Sequence, residues 1–485
     1  MNALTRILEW PSEPEDLLGL ALWDAVEIAR ATGGVAMGEF QVAGVEIDSR
    51  DVIEGDLFFA LRGEAMDGHR FVPAAFAKGA AAVVVDRPVE GPHVLVDDTF
   101  VALQRFAAAA RSRTRARIVG VTGSVGKTGV KEAIFAALDR SSRGNAHRSV
   151  KSYNNHVGVP LSLARMPARS RFGVFEMGMN HAGEIAALTV QVRPHVAVIT
   201  TIAPAHIEML GSEEAIADAK AEIFEGLESG GIAIVPADSP HFARLREAAE
   251  QHKVAVVSFG RAPYADVRLL DAVPAPGGGS LVTADLGDRR VCYTVAAAGE
   301  HWVDNSLCVM AAVRAAGGDL GAAGLALAEM EGLKGRGALL EVSAKGGTAL
   351  VIDESYNANP ASMKATLAQL GATKAIRRIA VLGAMKELGE HGPAYHAALA
   401  GPLTLAGVEF AILVGDEMRA LADELGKAGK TALGKPVPFA HCANAQEALQ
   451  ALSKLGVESG DAILVKGSNS VGLAAVVAAL AKQEG

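Results

Sequence analysis

The chain has 485 residues, half of them hydrophobic, and a formal net charge of −9. This length exceeds what one hydrophobic core usually serves, so about three domains are expected. Acidic and basic residues are mixed throughout, which argues against a nucleic-acid-binding face, and we interpret the five arginines between Arg105 and Arg117 as a solvated helix face. We therefore expect small-molecule partners and no nucleic acid.

Cysteine usage and hydropathy point to the cellular compartment. The three cysteines are widely spaced and form no C-x-x-C pair, which fits neither a disulfide framework nor a zinc site. No segment runs about 18 apolar residues without charge or glycine, so no membrane insertion is expected. These features predict a cytoplasmic protein, and a monomer is the default expectation.

The N-terminal part of the chain contains short strand cores separated by glycine-containing turns. The segments VEIDSR, DLFFAL and AAVVVD have the apolar character of buried strands. They predict a small α/β domain that ends near Asp97. A helix is expected between Phe100 and Arg115, followed by a strand over Arg117–Thr122.

From Ile118 to about Leu333, buried strands alternate with helical segments, the pattern of a mostly parallel sheet covered by helices. Within it, residues 266–295 predict a β-hairpin, and a helix is expected to begin near Val303. Beyond a glycine-rich hinge, further strand–turn–helix units predict a Rossmann-like domain. The predicted fold is therefore α/β with three domains: residues 1–97, a central nucleotide-binding domain at 98–333, and 334–485.

A glycine loop follows the predicted strand IVGVT and leads into a predicted helix. Backbone N–H groups of such a loop bind phosphate oxygens, while a lysine neutralises the β- and γ-phosphates and a threonine hydroxyl reaches magnesium. The general motif has a glycine where this chain has Val121, so the loop is a G-x-x-G-K-T variant. The residues predicted to bind ATP here are Thr122, Gly123, Ser124, Val125, Gly126, Lys127 and Thr128.

That variant loop, with SYNNHVGVPLSL downstream and EMGMNHAGEI after a strand, resembles the Mur ligases, ATP-dependent enzymes that build the peptide stem of peptidoglycan. Three longer segments are similar to the members that add D-alanyl-D-alanine: IDSRDVIEGDLFFALRGEAMDGHRF, DESYNANPASM and AMKELGEHG. The resemblance covers nearly the whole chain. It implies a ligase that joins UDP-N-acetylmuramoyl-tripeptide to D-alanyl-D-alanine in cytoplasmic cell-wall precursor synthesis and releases ADP and phosphate.

The resemblance also implies a metal site. Glu176 in VFEMGMNH would coordinate magnesium beside Thr128, and oxygen ligands of this kind are what magnesium prefers. His206 in APAHIEML would support a second metal. Lys220 in DAKAEIF would react with carbon dioxide to give a carbamate, which is a carboxylate-like ligand. ATP as a substrate and two magnesium ions are thus expected.

Other nucleotide contacts follow from the same resemblance. His301 and Asn305 match positions near the adenine ring, but Trp302 stands where the family commonly has asparagine, so either stacking or a reshaped pocket would hold the adenine. Arg336 matches an arginine that approaches the γ-phosphate. Glu354 falls where the family usually has aspartate, beside Asp353, and both carboxylates remain candidates.

Substrate contacts are implied in three places. The segment around Ser49 and Arg50 and the loop from Gly63 to His69 resemble the part that receives the UDP-sugar peptide. Acceptor contacts are expected from C-terminal loops, including 384–389 and 466–470. The residues predicted to bind substrate are Ser49, Arg50, Gly63, Asp67, His69, Asn154, Asn155, Tyr356, Asn357 and Asn359.

The implied reaction activates a carboxylate as an acyl phosphate, which an amine then displaces; Lys127, Lys220, His206 and Arg336 are the predicted catalytic residues. One alternative is a sister ligase that adds a single diamino acid, whose acceptor loop often contains D-N-P-R, absent here. A folate polyglutamylating ligase would lack the segment IDSRDVIEGDLFFAL. A non-catalytic ATP-binding switch would need neither Glu176 nor Lys220 and His206.

Overall fold

The computed structural model describes residues 21–63, 66–205, 207–276, 278–330, 332–427 and 437–482. The chain forms two compact units. The first comprises the described residues up to Arg115 together with Val157–Ser170, and the second comprises Ala116–His156 together with the described residues from Arg171 onward. The domain boundaries at residues 97 and 333 stay predictions.

Short buried strands dominate the chain up to residue 115. The three predicted strand cores are confirmed, and the predicted helix forms with the Asp98 side chain accepting the N–H groups of Phe100 and Val101 at its first turn. The elements are β1 Trp23–Asp24, α1 Ala25–Thr32, β2 Val35–Met37, β3 Gln41–Val42, β4 Gly44–Glu46, β5 Asp56–Phe59, α2 Val72–Ala77, β6 Ala82–Val85, β7 His93–Leu95 and α3 Thr99–Arg113.

Strands and helices then alternate, as the sequence predicts for the central part of the chain. The elements are β8 Arg117–Thr122, α4 Lys127–Ser142, β9 Ala146–Arg148, α5 Gly158–Ala164, β10 Phe172–Glu176, α6 Glu184–Val192, β11 Val196–Ile199, α7 Ile207–Leu210, α8 Glu213–Ala221, β12 Ile232–Pro236, α9 Phe242–Gln251, β13 Ala255–Gly260, β14 Val267–Pro274, β15 Ser280–Asp285, β16 Arg290–Val295, α10 Glu300–Ala316 and α11 Leu320–Glu329.

The C-terminal part contains the four predicted strands (β18, β19, β20 and β22) with a strand added on each side. Its elements are β17 Ala338–Ala344, β18 Gly347–Glu354, α12 Pro360–Ala372, β19 Arg377–Gly383, α13 Gly392–Ala397, α14 Ala400–Leu405, β20 Phe410–Val414, α15 Arg419–Lys427, β21 Phe439–Cys442, α16 Ala445–Leu455, β22 Asp461–Lys466 and α17 Ala474–Ala481.

In the first unit, five of the described strands form a sheet in the order β2-β7-β6-β5-β4, and β1 pairs antiparallel with β3 in a separate two-stranded sheet. Strands β4 to β7 run parallel, and β2 pairs antiparallel with β7 at one edge. Helix α5 joins this unit: the Trp23 indole N–H donates to the Ala164 carbonyl at 3.1 Å, and the Arg113 guanidinium lies 3.2 Å above the Trp23 ring. The indole therefore ties the returning segment to the N-terminal part of the unit.

In the second unit, the described strands form two sheets. The larger has the order β16-β15-β14-β13-β12-β11-β8-β10-β9 and is parallel from β9 to β14. The predicted hairpin is confirmed as β14 and β15, and because β14 also pairs with β13, the hairpin extends the parallel sheet. The smaller sheet, β17-β18-β22-β19-β20-β21, is parallel except at β17. The predicted α/β class is confirmed.

Helix α10 begins earlier than the sequence predicts. Gly299 has φ of 104° and ψ of 147°, so it is not helical, and the helix starts at the next residue, Glu300. His301 and Trp302 consequently lie in the first turn. None of the described helices has the length and apolarity needed to cross a membrane.

Candidate functional site

The predicted phosphate loop lies at the carboxyl end of β8, between β10 and β11 in the large sheet. Gly123 has φ of 146°, and a Cβ there would lie 1.9 Å from the Thr200 hydroxyl, which itself donates to the Val125 carbonyl at 2.5 Å. Gly126 has φ of 87° and precedes α4. Both positions therefore need glycine because their φ angles are positive. At Gly123 a side chain would also clash with Thr200.

Val121 explains why the first glycine of the general motif is missing. It is a fully buried residue of β8, paired in register with Glu176 of β10 and Val198 of β11. The backbone at this position is regular strand, so it needs a side chain that packs rather than a glycine. The phosphate loop begins only after Thr122.

Lys127 is the first residue of α4. Its ammonium group donates to the Gly123 carbonyl at 2.7 Å. Burial lowers the pKa of Lys127, the Glu176 carboxylate opposes that change, and the Arg336 cation adds to it. The lysine is thus held by a neutral carbonyl of its own loop, at the positive end of a helix where anions bind.

Glu176 ends β10 and is 1% exposed. One carboxylate oxygen accepts the Thr128 hydroxyl at 2.9 Å, and the other accepts the Asn154 amide at 2.8 Å. Because both of these donors are neutral, the bonds leave the negative charge in place. A hydroxyl and a carboxylate side by side form an oxygen donor set that fits magnesium.

The other predicted metal ligands fall differently. Lys220 is buried on α8, and its pKa is lowered well below its usual value by burial and, secondarily, by the positive charge of Lys127. His206 lies outside the described residues. Across the part of the chain that the structure describes, no group of three His, Cys, Asp or Glu side chains is placed to hold a metal. Of the other predicted metal ligands, Glu176 is the one that the structure places beside Thr128.

A cavity of about 570 Å³ opens in front of the loop. Most of the predicted site residues of the second unit line it, while Thr122, Gly123, Thr128, Asn155 and Lys220 do not. The predicted residues in its lining are Ser124, Val125, Gly126, Lys127, Asn154, Glu176, His301, Asn305, Arg336, Glu354, Tyr356, Asn357 and Asn359.

The first turns of α10 and α4 meet at this cavity. The Trp302 indole packs against Gly129, where a Cβ would lie 2.7 Å from the ring, so α4 needs glycine at that point. Asn305 stands beside the phosphate loop, its side-chain oxygen 3.1 Å from where a Gly126 Cβ would be. Burial lowers the pKa of His301, against the attraction of Glu354. A neutral imidazole and an indole edge therefore form this wall.

Arg336 faces the cavity from the loop before β17. Its guanidinium donates to the Ser152 hydroxyl at 3.3 Å and lies 4.1 Å above the Tyr356 ring. The cation is thus oriented by one hydrogen bond and one aromatic face. Lys127 and Arg336 consequently bring two positive charges to one cavity.

The two adjacent carboxylates at the end of β18 have different surroundings. Asp353 is buried and accepts the N–H of Gly335 at 2.8 Å and the hydroxyl of Ser355 at 2.6 Å, so it holds the two loops together. Glu354 lines the cavity and pairs with Lys466 at 3.2 Å. The structure brings Glu354, not Asp353, to the cavity.

The asparagines of the following loop have backbone partners. Asn359 is the N-cap of α12, accepting the Ser362 N–H at 2.9 Å, and its amide donates to the Ser124 carbonyl at 3.5 Å. The Asn357 side chain accepts the Ala358 N–H at 2.8 Å. Asn359 thereby joins the phosphate loop to the C-terminal part of the chain.

Sequence reasoning missed the part of the lining at the carboxyl ends of β12 and β13. Pro236, Asp238, Phe259 and Gly260 lie there, and the Asp238 carboxylate accepts the backbone N–H of Arg261 at 2.7 Å. The rule that sites form at the carboxyl ends of parallel strands could have found them. Ser152, by contrast, begins the segment SYNNHVGVPLSL that the sequence analysis names, but a serine in a turn indicates no role of its own.

In the first unit, His69 is fixed by its neighbours. The Asp86 backbone N–H donates to Nε2 at 3.1 Å, so Nδ1 carries the proton and donates to Asp67 at 2.8 Å. Arg87 also donates to Asp67 at 2.6 Å and holds the pKa of that carboxyl far below its usual value. The predicted pair Asp67 and His69 therefore shapes this loop.

The other predicted residues of the first unit are more accessible. Arg50 is exposed and forms a two-pronged ion pair with Asp48, at 2.9 and 2.6 Å. Ser49 between them is partly exposed, and Gly63 is exposed, with its N–H donating to the Met66 carbonyl at 2.8 Å. These groups present polar surface around two loops of the unit.

Comparison with known proteins gives consistent matches along the chain. Three family models match: "Mur ligase family, catalytic domain" over residues 41–113, "Mur ligase middle domain" over 121–313, and "Mur ligase, glutamate ligase domain" over 339–469. The UDP-N-acetylmuramoyl-tripeptide--D-alanyl-D-alanine ligase of Synechocystis sp. is 37% identical over 91% of this chain and 92% of its own length.

Two solved structures extend the match to the fold. A crystal structure of MurF from Acinetobacter baumannii is 29% identical, covers 95% of this chain and 99% of that chain, and has a TM-score of 0.80. MurF ligase from Thermotoga maritima in complex with ADP is 25% identical over 91% of this chain and 98% of that chain, with a TM-score of 0.73.

Proposed function

Because the chain belongs to the Mur ligase family, we propose that it adds D-alanyl-D-alanine to UDP-N-acetylmuramoyl-tripeptide and cleaves ATP to ADP and phosphate. A relative that is 37% identical over most of both chains carries the name of this activity. A neighbour of the same architecture holds ADP. A non-catalytic switch and a ligase for a single diamino acid are not favoured.

One observation of the site carries the proposal. Lys127, Glu176 and Arg336 face one cavity, and the carboxylate and the guanidinium each lie close enough to Lys127 to act on its pKa, which burial lowers. A reaction between two anions, a carboxylate and a γ-phosphate, needs such a concentration of positive charge. Phosphoryl transfer depends mainly on positioning and electrostatic stabilisation of this kind.

The chemistry then follows in two steps. An oxygen of the tripeptide's terminal carboxylate attacks the γ-phosphorus, and the bond to the β-phosphate oxygen breaks, which gives an acyl phosphate and ADP. The dipeptide amine attacks the acyl carbon, the bond to the phosphate oxygen breaks, and phosphate leaves, while the amine nitrogen loses a proton to the solvent. Lys127 and Arg336 reduce the repulsion in the first step by screening the charge on the transferring group.

Thr128 and Glu176 are the residues that would hold magnesium. Bound there with ATP, the ion would neutralise charge on the phosphates. Asn154 keeps one Glu176 oxygen oriented through its amide, and Thr128 does the same for the other. The buried carboxylate is therefore preset for a cation.

Lys220 supports a further part of the proposal, a carbamate. Because burial and Lys127 lower its pKa, the amine is neutral at a lower pH than a free lysine and can attack carbon dioxide, forming an N–C bond and losing a proton. With ¹³C-labelled bicarbonate, NMR should show a carbamate carbon that is missing from Lys220→Arg. Identical spectra for the two proteins would reject the carbamate without touching the ligase assignment.

Recognition of the UDP-sugar peptide is proposed for the loops of the first unit. Arg50 offers a guanidinium at the surface, and the hydrogen-bonded Asp67 and His69 hold a loop next to Gly63. Ser49, also partly exposed, adds a hydroxyl donor. In an Arg50→Ala variant, the KM for UDP-N-acetylmuramoyl-tripeptide should rise and the KM for ATP should stay unchanged.

The assay for the proposed function measures phosphate release and product mass together. With ATP and UDP-N-acetylmuramoyl-tripeptide, the rate should depend on D-alanyl-D-alanine, and the product should gain the mass of the dipeptide less one water. D-alanine and diamino acids serve as matched acceptors. Turnover with a diamino acid but not with the dipeptide would instead assign the chain to the sister activity.

A further inference from the structure

Helix α4 carries a second lysine, Lys131, one turn after Lys127, and the proposed reaction does not use it. Its side chain is 0% exposed. An ammonium group away from water is costly unless each of its three N–H donors has a partner. The surroundings of Lys131 should therefore show what this buried charge is for.

The Lys131 ammonium has three partners. It donates to the backbone carbonyls of Ser149 at 2.8 Å and Lys151 at 3.0 Å, and it forms an ion pair with Glu132 at 2.9 Å. The second oxygen of Glu132 lies 2.8 Å from Arg148, at the end of β9. Two of the three contacts thus hold the backbone that follows β9.

That backbone, residues 149–154, is a turn with an unusual conformation. Lys151 has φ of 53°, in the left-handed region that non-glycine residues seldom adopt, and the Tyr153 N–H donates to the Val150 carbonyl at 3.3 Å. The Lys151 carbonyl is one of the two that Lys131 binds. The ammonium therefore holds a backbone conformation that has an intrinsic cost.

The turn presents two side chains to the cavity. The Ser152 hydroxyl accepts from Arg336 at 3.3 Å, and the Asn154 amide donates to Glu176 at 2.8 Å. The turn is also fixed to Glu176 from behind, because the Ser149 hydroxyl accepts the Glu176 backbone N–H at 3.1 Å. One segment thus contacts both the arginine and the carboxylate of the site.

We propose that Lys131 is a positioning residue of the ligase reaction: by binding the carbonyls of Ser149 and Lys151, it sets Ser152 and Asn154 against Arg336 and Glu176. It touches no substrate and acts through the turn. The kinetic consequence rests on the proposed function, whereas the order of the turn can be measured without it.

The test compares Lys131→Met with Ser142→Ala in the full chain. Ser142 is a buried polar residue of the same helix, and within the described part of the chain its hydroxyl binds carbonyls of that helix, Leu138 and Asp139, so it controls for loss of a buried polar group. We expect kcat of Lys131→Met to fall about tenfold or more with little change in the KM for ATP, because misplacing such groups costs turnover more than binding. Ser142→Ala should keep wild-type kinetics.

Two readouts separate positioning from general stability. Hydrogen exchange of the amides of residues 149–154 should quicken in Lys131→Met and not in Ser142→Ala. In an Asn154→Ala background, Lys131→Met should lower kcat by a much smaller factor than it does in the wild type. The reason is that the contact through which Lys131 positions Glu176 is already absent there. The proposal would be overturned if the double variant lost kcat by the product of the two single-variant factors and if hydrogen exchange of residues 149–154 were unchanged in Lys131→Met.

Folding and function can be distinguished within the same series. If Lys131→Met does not fold, Lys131→Arg keeps the cation and its donors, and a rate that falls in step with faster exchange of the turn supports the proposal. A slower Lys131→Arg enzyme with wild-type exchange in the turn contradicts it. Absence of turnover by the wild-type chain would reject the proposed function instead, while the exchange result would still decide the role in the turn.

Discussion

In each of the two sheets of the second unit, one strand ends in a glutamate that lines the same cavity. The two glutamates have different partners. Glu354 of β18 is in register with Lys466 of the neighbouring strand β22, and the pair lies 3.2 Å apart. Glu176 of β10 is in register with Val121 and accepts only from neutral groups in its two side-chain bonds described above. The carboxylate of Glu354 is therefore balanced by a lysine, whereas the two side-chain bonds of Glu176 leave its negative charge in place.

This difference separates the chemistry from its support. Lys466 also donates to the Asn357 carbonyl at 2.9 Å, so it fastens a strand end and a loop. Lys127 donates to the carbonyl of Gly123, a bond it can exchange for a phosphate oxygen without breaking an ion pair. We infer that the carboxyl end of the large sheet supplies Lys127 and Glu176 to the reaction, whereas the carboxyl end of the small sheet shapes the wall and Arg336 enters from the loop before β17.

The largest effect is expected for Lys127→Ala. Removing the loop ammonium takes away the charge that screens the β- and γ-phosphates, so kcat/KM should fall about 10³-fold or more. Phosphate release with all three substrates is the measurement. Lys364→Ala, an exposed lysine on α12, is the control and should leave the rate unchanged. A Lys127→Ala enzyme with more than a tenth of the wild-type rate would remove the loop from the reaction.

Glu176→Gln comes next, because it keeps the shape and deletes the charge that the edge of the large sheet retains. Turnover should fall about 10²-fold, and the magnesium concentration for half-maximal nucleotide binding should rise. Calorimetry of ADP binding at a series of magnesium concentrations gives the second quantity. If the variant binds nucleotide with unchanged magnesium dependence, the metal lies elsewhere.

Lys466→Met should act mainly on stability. It leaves the Glu354 carboxylate without its cation in a mostly buried position, at a cost of about 1–3 kcal/mol in the free energy of unfolding. The double variant Lys466→Met/Glu354→Gln should recover much of that loss, since the unpaired charge is gone. Denaturant unfolding measures both. Equal losses in the single and double variants would show that the pair is not what stabilises this edge.

The smallest effect is expected in the first unit, for Asp67→Asn. The folded pKa of Asp67 lies below its ordinary value of 3.8, chiefly through the hydrogen bond from Arg87. Its contribution to stability is therefore present above pH 3.8 and is lost as the pH falls toward the folded pKa. The Tm difference between wild type and variant should be largest above about pH 4 and shrink below it. A difference that grows on acidification would contradict the assignment.

The phosphate loop and its flanks were predictable because the signal is local. A buried strand, two glycines with positive φ and a helix follow one another within residues 117–142, and the structure reproduces that order. Glu176 was predictable through the family resemblance, since it ends a strand beside the loop. In both cases, a parallel strand delivers the residue to the sheet edge where such sites form.

Other features could not be read from the sequence because they depend on distant partners. Neighbouring residues of a strand face opposite sides of the sheet, but the sequence of β18 does not indicate which side lines the cavity. The sequence therefore could not distinguish Asp353 from Glu354 as the residue that reaches it. Trp302 meets Gly129 and Lys131 meets the turn at Ser149 only through tertiary packing. The difference between Glu354, which pairs with a lysine, and Glu176, which accepts from a hydroxyl and an amide, depends likewise on strand register.

The most direct test of the account is isotopic. Both terminal carboxylate oxygens of UDP-N-acetylmuramoyl-tripeptide are labelled with ¹⁸O, the ligation is run with D-alanyl-D-alanine and ATP, and the released phosphate is analysed by mass spectrometry. Attack of the carboxylate on the γ-phosphate, supported by Lys127 and Arg336, predicts that each phosphate carries one ¹⁸O. Phosphate without label, formed while the amide product accumulates, would contradict an acyl phosphate and with it the role assigned to this cavity.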